Sequence, residues 1–80
     1  MKARVDVTLK TGVLDPQGKA IHQALQHLGF KQVTDVRQGK LIEIELTESN
    51  RDKALADLKD MAEKLLANQV IENYRVTLQD

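Results

Sequence analysis

The stretch from residue 12 to residue 30, GVLDPQGKAIHQALQHLGF, restricts the fold most, because it contains a helix whose two ends are both marked. Asp15 can accept hydrogen bonds from the free amides of a helix start, and Pro16 suits the first helical position because it has no amide hydrogen to lose. Gly29 favours a left-handed turn that ends the helix, after which Phe30 packs back against it. Apolar residues at spacings of three and four predict one buried face, made of Ile21, Ala24, Leu25 and Leu28.

Alternating segments before and after this helix predict half-buried strands. The residues that share one face are Ala3, Val5, Val7 and Leu9 in the first strand, Ile42, Ile44 and Leu46 in a later one, and Tyr74, Val76 and Leu78 in the last. Val33 and Val36 indicate one more strand, either bulged or partly buried on both faces. A three-residue hairpin loop at residues 37–39, with Gly39 left-handed, would place Val36 on the face of Ile42, whereas a two-residue turn would place Asp35 there.

A second helix follows, with Ser49 or Asn50 as its N-terminal cap and Asn68 as its left-handed end. Its predicted apolar face is as regular as that of the first helix. It consists of Ala54, Leu55, Leu58, Met61, Ala62 and Leu65.

The order strand, helix, strand, strand, helix, strand predicts a single α+β domain over residues 1–80. Its architecture would be a two-layer βαββαβ sandwich of ferredoxin-like type, with two helices on one face of a four-stranded, mostly antiparallel sheet. Such a small core, with one Phe, one Tyr and no Trp, favours self-association. Leu41 supports this, because it shares the opposite sheet face with Glu43 and Glu45 and suggests that something covers that face.

Charge and composition exclude several classes of function. Twelve basic and twelve acidic side chains cancel, so the chain lacks the positive field of a nucleic-acid-binding protein. It has no cysteine and no apolar run of membrane-spanning length, and its first residues alternate as a strand does. We therefore expect no nucleic-acid or membrane partner and a cytoplasmic location.

No catalytic, cofactor or metal site is predicted. Gly12, Gly18 and Lys19 have the wrong spacing for a phosphate-binding loop, and Ala20 stands where the magnesium-binding hydroxyl belongs. His22 and His27 lie about 140° apart around a helix and cannot share a metal within one chain.

The loop before the first helix is unusual because Val13 and Leu14 are apolar in a turn that would ordinarily be polar. They either form a contact surface or fold back over the open end of the core.

Three motifs in order resemble the PurS family, the small subunit of phosphoribosylformylglycinamidine (FGAM) synthase. They are GVLDPQG at residues 12–18 with LGF at 28–30, VRQGK at residues 36–40, and KLLAN at residues 64–68 with VIE at 70–72 and Tyr74. The resemblance spans nearly the whole chain. It implies a βαββαβ fold that self-associates and a subunit without catalytic residues of its own.

The resemblance also implies partners. The dimer would bridge a large synthetase subunit and a glutaminase subunit, so that ammonia passes between their active sites while the complex converts FGAR to FGAM. The complex would use ATP, Mg²⁺ and glutamine, with no cofactor bound by this subunit. The candidate partner-contact residues are Gly12, Val13, Leu14, Asp15, Pro16, Gly18, Arg37, Gly39, Lys40, Leu41, Asn68 and Tyr74.

The alternative is a dimeric regulatory domain that binds a small molecule, since this topology also serves that function. An RNA-binding module would need aromatic residues on the central strands, where this chain has Val, Asp, Ile and Glu.

Overall fold

The structure is a computed structural model that describes residues 1–79. Five helices and strands and one π-turn follow one another along the chain. They are β1 (Lys2–Leu9), α1 (Pro16–His27), β2 (Gly39–Glu45), α2 (Arg51–Met61), the π-turn (Ala62–Leu66) and β3 (Glu72–Gln79). The α+β class predicted from the sequence is confirmed.

The ends of α1 lie where the sequence predicts them. Asp15 Oδ1 accepts the amide of Gly18 at 2.9 Å, which caps the first turn. Gly29 has a φ of +101°, and the Phe30 amide reaches the Leu25 carbonyl at 3.0 Å. With the bond from Gly29 to Gln26, this is a Schellman motif.

The sheet has three antiparallel strands in the order β2-β1-β3. Val5 lies opposite Ile42 on one side and Val76 on the other, so the three predicted apolar faces coincide. Helix α2 and the π-turn cover this face. The buried core consists of Ala3, Val5, Val7, Ala54, Leu58, Ala62 and Ala67.

The π-turn changes the apolar face of the second helix. The Ala67 amide bonds the Ala62 carbonyl, five residues back, at 2.9 Å, which shifts the helical phase. Leu66 is therefore half-buried against the core, whereas Leu65, predicted to lie on the buried face, is 82% exposed. The predicted left-handed end at Asn68 is wrong too, because the chain leaves the π-turn through an extended Ala67.

The main difference from the prediction is the position of residues 12–38, which we call the arm. It consists of its loop, α1 and a return segment, residues 31–38. Within it only Gly18 is buried, and the predicted apolar face of α1 does not join the core. Only one of the two helices therefore covers the sheet.

The predicted fourth strand and its hairpin loop are not observed in residues 1–79. The chain runs without turn or bend from Val33 into β2. Gly39 is the first residue of β2 and does not have a positive φ. It is needed instead for close approach, since an added Cβ would meet Thr8 Cγ2 at 2.8 Å.

The overall dimensions agree with a projecting arm. The radius of gyration is 15.9 Å, and the longest extent is 48 Å against a shortest extent of 14 Å. A compact chain of this length would have a radius of gyration of about 12 Å.

Candidate partner-binding surface

One end of the sheet brings together the three segments for which the sequence predicts partner contacts. β1 ends there at Leu9, and β2 and β3 begin there at Gly39 and Glu72, because both are antiparallel to β1. We call this the sheet-end surface. It comprises residues 9–18, 37–40 and 68–74.

Asp15 joins two of these segments. Besides capping α1, its second carboxylate oxygen accepts the amide of Gln38 at 2.8 Å. The amide hydrogen bonds from Gln38 and Gly18 lower the pKa of the Asp15 carboxyl below its ordinary value. The carboxylate thus connects the base of the arm on its outgoing and returning sides.

Hydrogen bonds hold the end of β1 on both sides. The Arg37 guanidinium donates to the carbonyl of Leu9 and, at 3.2 Å, to that of Lys10. The Lys10 amide donates to the Ile71 carbonyl at 2.8 Å. These bonds fix the three segments relative to one another.

The turn before β3 is held by reciprocal bonds. The Asn68 amide donates to Glu72 Oε1 at 2.7 Å, and the Glu72 amide donates to the Asn68 carbonyl at 2.7 Å. Asn68 Oδ1 also accepts the Val70 amide at 3.0 Å. Glu72 was named in the motif at residues 70–72 but not among the candidate contact residues, although an Asn and a Glu four residues apart around a turn could have indicated it.

An open cleft of about 480 Å³ lies at the sheet-end surface. It is lined by Val7, Leu9, Asp15, Pro16, Gln17, Gln38, Gly39, Lys40 and Glu72. Glu72 also borders a second, smaller cleft with Lys10 and Tyr74. The lining offers hydrogen bonds and charges of both signs but no nucleophile beside a base, so it suits binding better than reaction.

The predicted contact residues differ in exposure. Leu14 is 65% exposed, as a contact residue would be, while Val13 is half-buried. Gly18 is buried, because the return segment passes so close that an added Cβ would lie 2.5 Å from the Val36 carbonyl oxygen. Tyr74 is half-buried and packs against the core.

Leu41 lies away from the other contact residues, on the outer face of the sheet. It is opposite Asp6 and 53% exposed. Around it Asp6 pairs with Arg4 at 3.5 Å and with Arg75 at 3.9 Å. Leu41 therefore belongs to a second surface with mixed charge.

Exposed apolar side chains also follow α2. Leu65 and Val70 are each 82% exposed, and Ile71 between the turn and β3 is also exposed. Leu65 was predicted to lie in the core, and Val70 and Ile71 were named only as part of the motif at residues 70–72 and not as contact residues. The adjacent apolar residues Val70 and Ile71, just before an alternating strand, could have indicated a contact site.

The histidines are not part of the sheet-end surface. His22 Nε2 lies 3.0 Å from the Val33 carbonyl, which also accepts the amide of the Gln26 side chain at 2.7 Å. These bonds hold the return segment on α1. Residues 1–79 contain no cluster of three acidic, histidine or cysteine side chains placed to bind a metal ion, and none of their helices has the length and apolar character needed to cross a membrane.

Comparisons with known proteins give one consistent result. Residues 2–80 match the family PurS, described as phosphoribosylformylglycinamidine (FGAM) synthase. The phosphoribosylformylglycinamidine synthase subunit PurS of Bacillus subtilis is 47% identical over 99% of this chain and 93% of its own length.

Solved structures agree. The crystal structure of Methanocaldococcus jannaschii PurS has a TM-score of 0.88 at 42% identity and covers 99% of this chain and 95% of its own. A chain in the structure of PurLQS from Thermotoga maritima has a TM-score of 0.86 at 36% identity, over 95% of this chain and 93% of its own.

Proposed function

This chain belongs to the PurS family and is a subunit of FGAM synthase in purine biosynthesis, and we propose that within this complex it bridges the large synthetase and glutaminase subunits. The enzyme is a glutamine-hydrolysing ligase. The bridge supports transfer of ammonia from the glutaminase to the synthetase during the conversion of FGAR to FGAM. This subunit catalyses no step itself.

The observation that carries this proposal is the meeting of three separate segments at the sheet-end surface. Hydrogen bonds made by Asp15, Arg37 and Lys10 hold these segments together. A rigid, polar surface with Leu14 exposed beside it suits a protein partner. The residues proposed to touch partner subunits are those named from the sequence other than the buried Gly18, with Glu72 and Gln38 added.

The experiment is reconstitution of the three-subunit complex with and without this chain. We expect glutamine-dependent FGAM synthesis to require it, while synthesis from added ammonia continues in the large subunit alone. Full glutamine-dependent turnover without this chain would contradict the proposal.

A surface variant localises the contact. Lys40→Glu reverses one charge in the cleft, and we expect it to weaken assembly at least about tenfold, as loss of an interface charge pair does. Lys59→Glu, on the exposed side of α2, is the matched control and should assemble normally. If the two variants assemble equally well, the cleft is not part of the interface.

We also propose that the chain self-associates as a homodimer. Among residues 1–79, a single copy buries only seven apolar side chains and leaves Leu28 73% exposed. In this proposal the predicted four-stranded sandwich forms only in the dimer, because residues 1–79 of one copy supply three strands. Sedimentation equilibrium at micromolar concentration should give a mass near twice 9.0 kDa.

ATP, Mg²⁺ and glutamine belong, in this proposal, to the assembled complex, with no cofactor bound by this chain. The complex works in the cytoplasm without nucleic-acid or membrane partners. Equilibrium dialysis of the isolated chain against ATP with Mg²⁺ should give no binding, and the same measurement on the complex should.

The size of the cleft favours a second candidate, a regulatory domain that binds a small molecule. About 480 Å³ falls within the range of ligand sites. Calorimetry of the isolated chain with amino acids and purine nucleotides separates the two functions. Saturable binding of one such ligand would favour the regulatory domain.

A further inference from the structure

We propose that the sheet-end surface binds an acidic segment of a partner subunit, whose carboxylates pair with the ammonium groups of Lys10 and Lys40. This inference rests on the proposed bridging function and adds the chemistry of the segment that docks. It follows from which polar groups of the surface already have partners and which do not.

The acidic groups of the surface already have hydrogen-bond donors. The two carboxylate oxygens of Asp15 accept the amides of Gly18 and Gln38, at 2.9 and 2.8 Å. Glu72 Oε1 accepts the Asn68 amide at 2.7 Å. Because backbone amides stabilise both negative charges, neither carboxylate depends on a cation from a partner.

The lysines of the surface have no such partners. Within residues 1–79, neither the Lys10 nor the Lys40 ammonium group has a hydrogen bond or an ion pair. Lys59 also lacks an ion pair, but it lies on the exposed side of α2, whereas Lys10 and Lys40 line clefts. The groups at this surface that remain available to a partner are therefore hydrogen-bond donors with a positive charge.

The net charge of the surface has the same sign. Residues 9–18, 37–40 and 68–74 contain three basic and two acidic side chains, which gives a net charge of +1 in a chain whose net charge is zero. The third basic group, Arg37, donates to the backbone carbonyls of Leu9 and Lys10 and not to a carboxylate. Charge complementarity therefore favours an acidic partner.

The two clefts of the surface adjoin each other. Lys40 and Glu72 line the larger cleft of about 480 Å³, and Glu72 and Lys10 line the smaller cleft of about 270 Å³. Each cleft thus has one lysine, and Glu72 lies between them. A small-molecule site encloses most of its ligand, whereas an open path with two separate cations suits an extended segment that carries more than one carboxylate.

Exposed apolar side chains lie next to both clefts along the chain. Leu14, 65% exposed, precedes Asp15 of the larger cleft, and Ile71, 39% exposed, precedes Glu72 of both. Apolar side chains and charges side by side are typical of a surface that binds protein. We therefore expect the docked segment to carry apolar residues as well as its carboxylates.

Two double variants with the same change in net charge test the pairing. Lys10→Gln with Lys40→Gln removes both proposed cations, and Lys31→Gln with Lys59→Gln removes two exposed lysines outside the surface. Surface plasmon resonance measures the binding of each to the large and glutaminase subunits. The dissociation constant should rise about 30-fold or more for the first variant and less than about threefold for the control. Equal dissociation constants would contradict the inference.

Glu72→Gln tests the sign of the partner's charge. It keeps an oxygen for the Asn68 amide but removes the negative charge between the two lysines. An acidic segment should then bind about two- to fivefold more tightly, and binding of the unmodified chain should weaken as the salt concentration rises. Weaker binding of Glu72→Gln, with an unchanged circular dichroism spectrum, would overturn the inference because it would mean that the partner is basic.

Zero-length cross-linking identifies the carboxylates. A carbodiimide joins an ammonium group directly to a carboxylate that is in contact with it. In the reconstituted complex we expect mass spectrometry to find Lys10 and Lys40 joined to Asp or Glu residues within one stretch of a partner subunit. Lys59 is the control, and links to the partner from Lys59 without any from Lys10 or Lys40 would contradict the inference.

These measurements separate the acidic segment from the proposed function. If glutamine-dependent synthesis requires the chain but Lys10 and Lys40 can be replaced without loss of affinity, the chain bridges its partners through other contacts and only the acidic segment is wrong. If the other subunits never associate with the chain, the bridging function itself is wrong.

Discussion

At the scale of single residues, Asp15 has the largest number of roles. It caps α1, attaches the return segment through Gln38 and lines the cleft. The sequence predicted the first role because Asp before Pro is a local signal. The bond to Gln38 spans 23 residues and could not be predicted without the fold.

Acid should release the Asp15 attachment. Because amide hydrogen bonds lower its pKa in the folded state, its stabilising contribution is fully present above the ordinary Asp pKa of about 3.9 and is lost as the pH falls through the lower folded value. In ¹⁵N spectra the amides of Gly18 and Gln38 should titrate together, with a midpoint below 3.9.

Asp15→Asn is the control for this titration, since it cannot titrate, and its single acceptor oxygen can hold only one of the two amides. Its Gly18 and Gln38 amides should not shift between pH 5 and pH 2. A midpoint at or above 3.9 in the unmodified chain would contradict the assigned bonds.

Two glycines of the arm should respond to alanine for different reasons. Gly18→Ala forces a methyl group against the Val36 carbonyl at 2.5 Å and should separate the return segment from α1. Gly29→Ala meets no atom but strains a φ of +101°, at a cost of about 1–2 kcal/mol.

Hydrogen exchange distinguishes these two variants. Gly18→Ala should speed exchange at Gln38, whose amide is bonded across the base of the arm, while Gly29→Ala should affect mainly the last turn of α1. Lys19→Ala, at an exposed position of the first turn, is the control and should leave both regions unchanged.

At the scale of helices and strands, local sequence signals predicted where each element lies along the chain. They did not predict which strands pair. The ends of α1 are local and were predicted correctly, and Asn50 is one of the two residues predicted to cap α2. The alternation in β1 gave the right face because its period does not depend on its neighbours. The hairpin predicted at Gly39 is wrong, because a local pattern can indicate an extended segment but does not fix whether any strand pairs with it.

The π-turn is a second limit on prediction. A single extra residue in one turn changes which side chain faces the core, and periodicity alone continues the old phase. Leu65 was therefore assigned to the core although Leu66 is the residue that packs there.

A matched pair of leucines tests this phase change. Leu58→Ala removes a fully buried side chain and should lower the free energy of unfolding by about 2–5 kcal/mol. Leu65→Ala should change it by less than about 0.5 kcal/mol, because that side chain is 82% exposed. Urea unfolding followed by circular dichroism measures both. A large loss of stability for Leu65→Ala would mean that Leu65 is buried and that the helix keeps its regular phase.

At the scale of the whole molecule, the three predicted contact segments meet because an antiparallel sheet brings the end of β1 beside the starts of both its neighbours. This meeting could have been derived from the strand order once β1 was known to be central. The exposure of Leu65 could not, since it depends on the π-turn.

Leu41 tests the outer sheet face in the assembled enzyme. Leu41→Asp should leave the far-ultraviolet spectrum unchanged, because the side chain is 53% exposed, and should weaken co-purification with the other subunits or with a second copy. Lys59→Asp on α2 is the control. If Leu41→Asp unfolds the chain, this residue is needed by the core, and if it assembles normally the outer face is not an interface.

The straight run of chain through Gly39 has a mechanical consequence. No turn separates the return segment from β2, so a force applied to the arm reaches the sheet directly along the backbone. A partner subunit that bound the arm would therefore pull on the central sheet and not on a flexible joint.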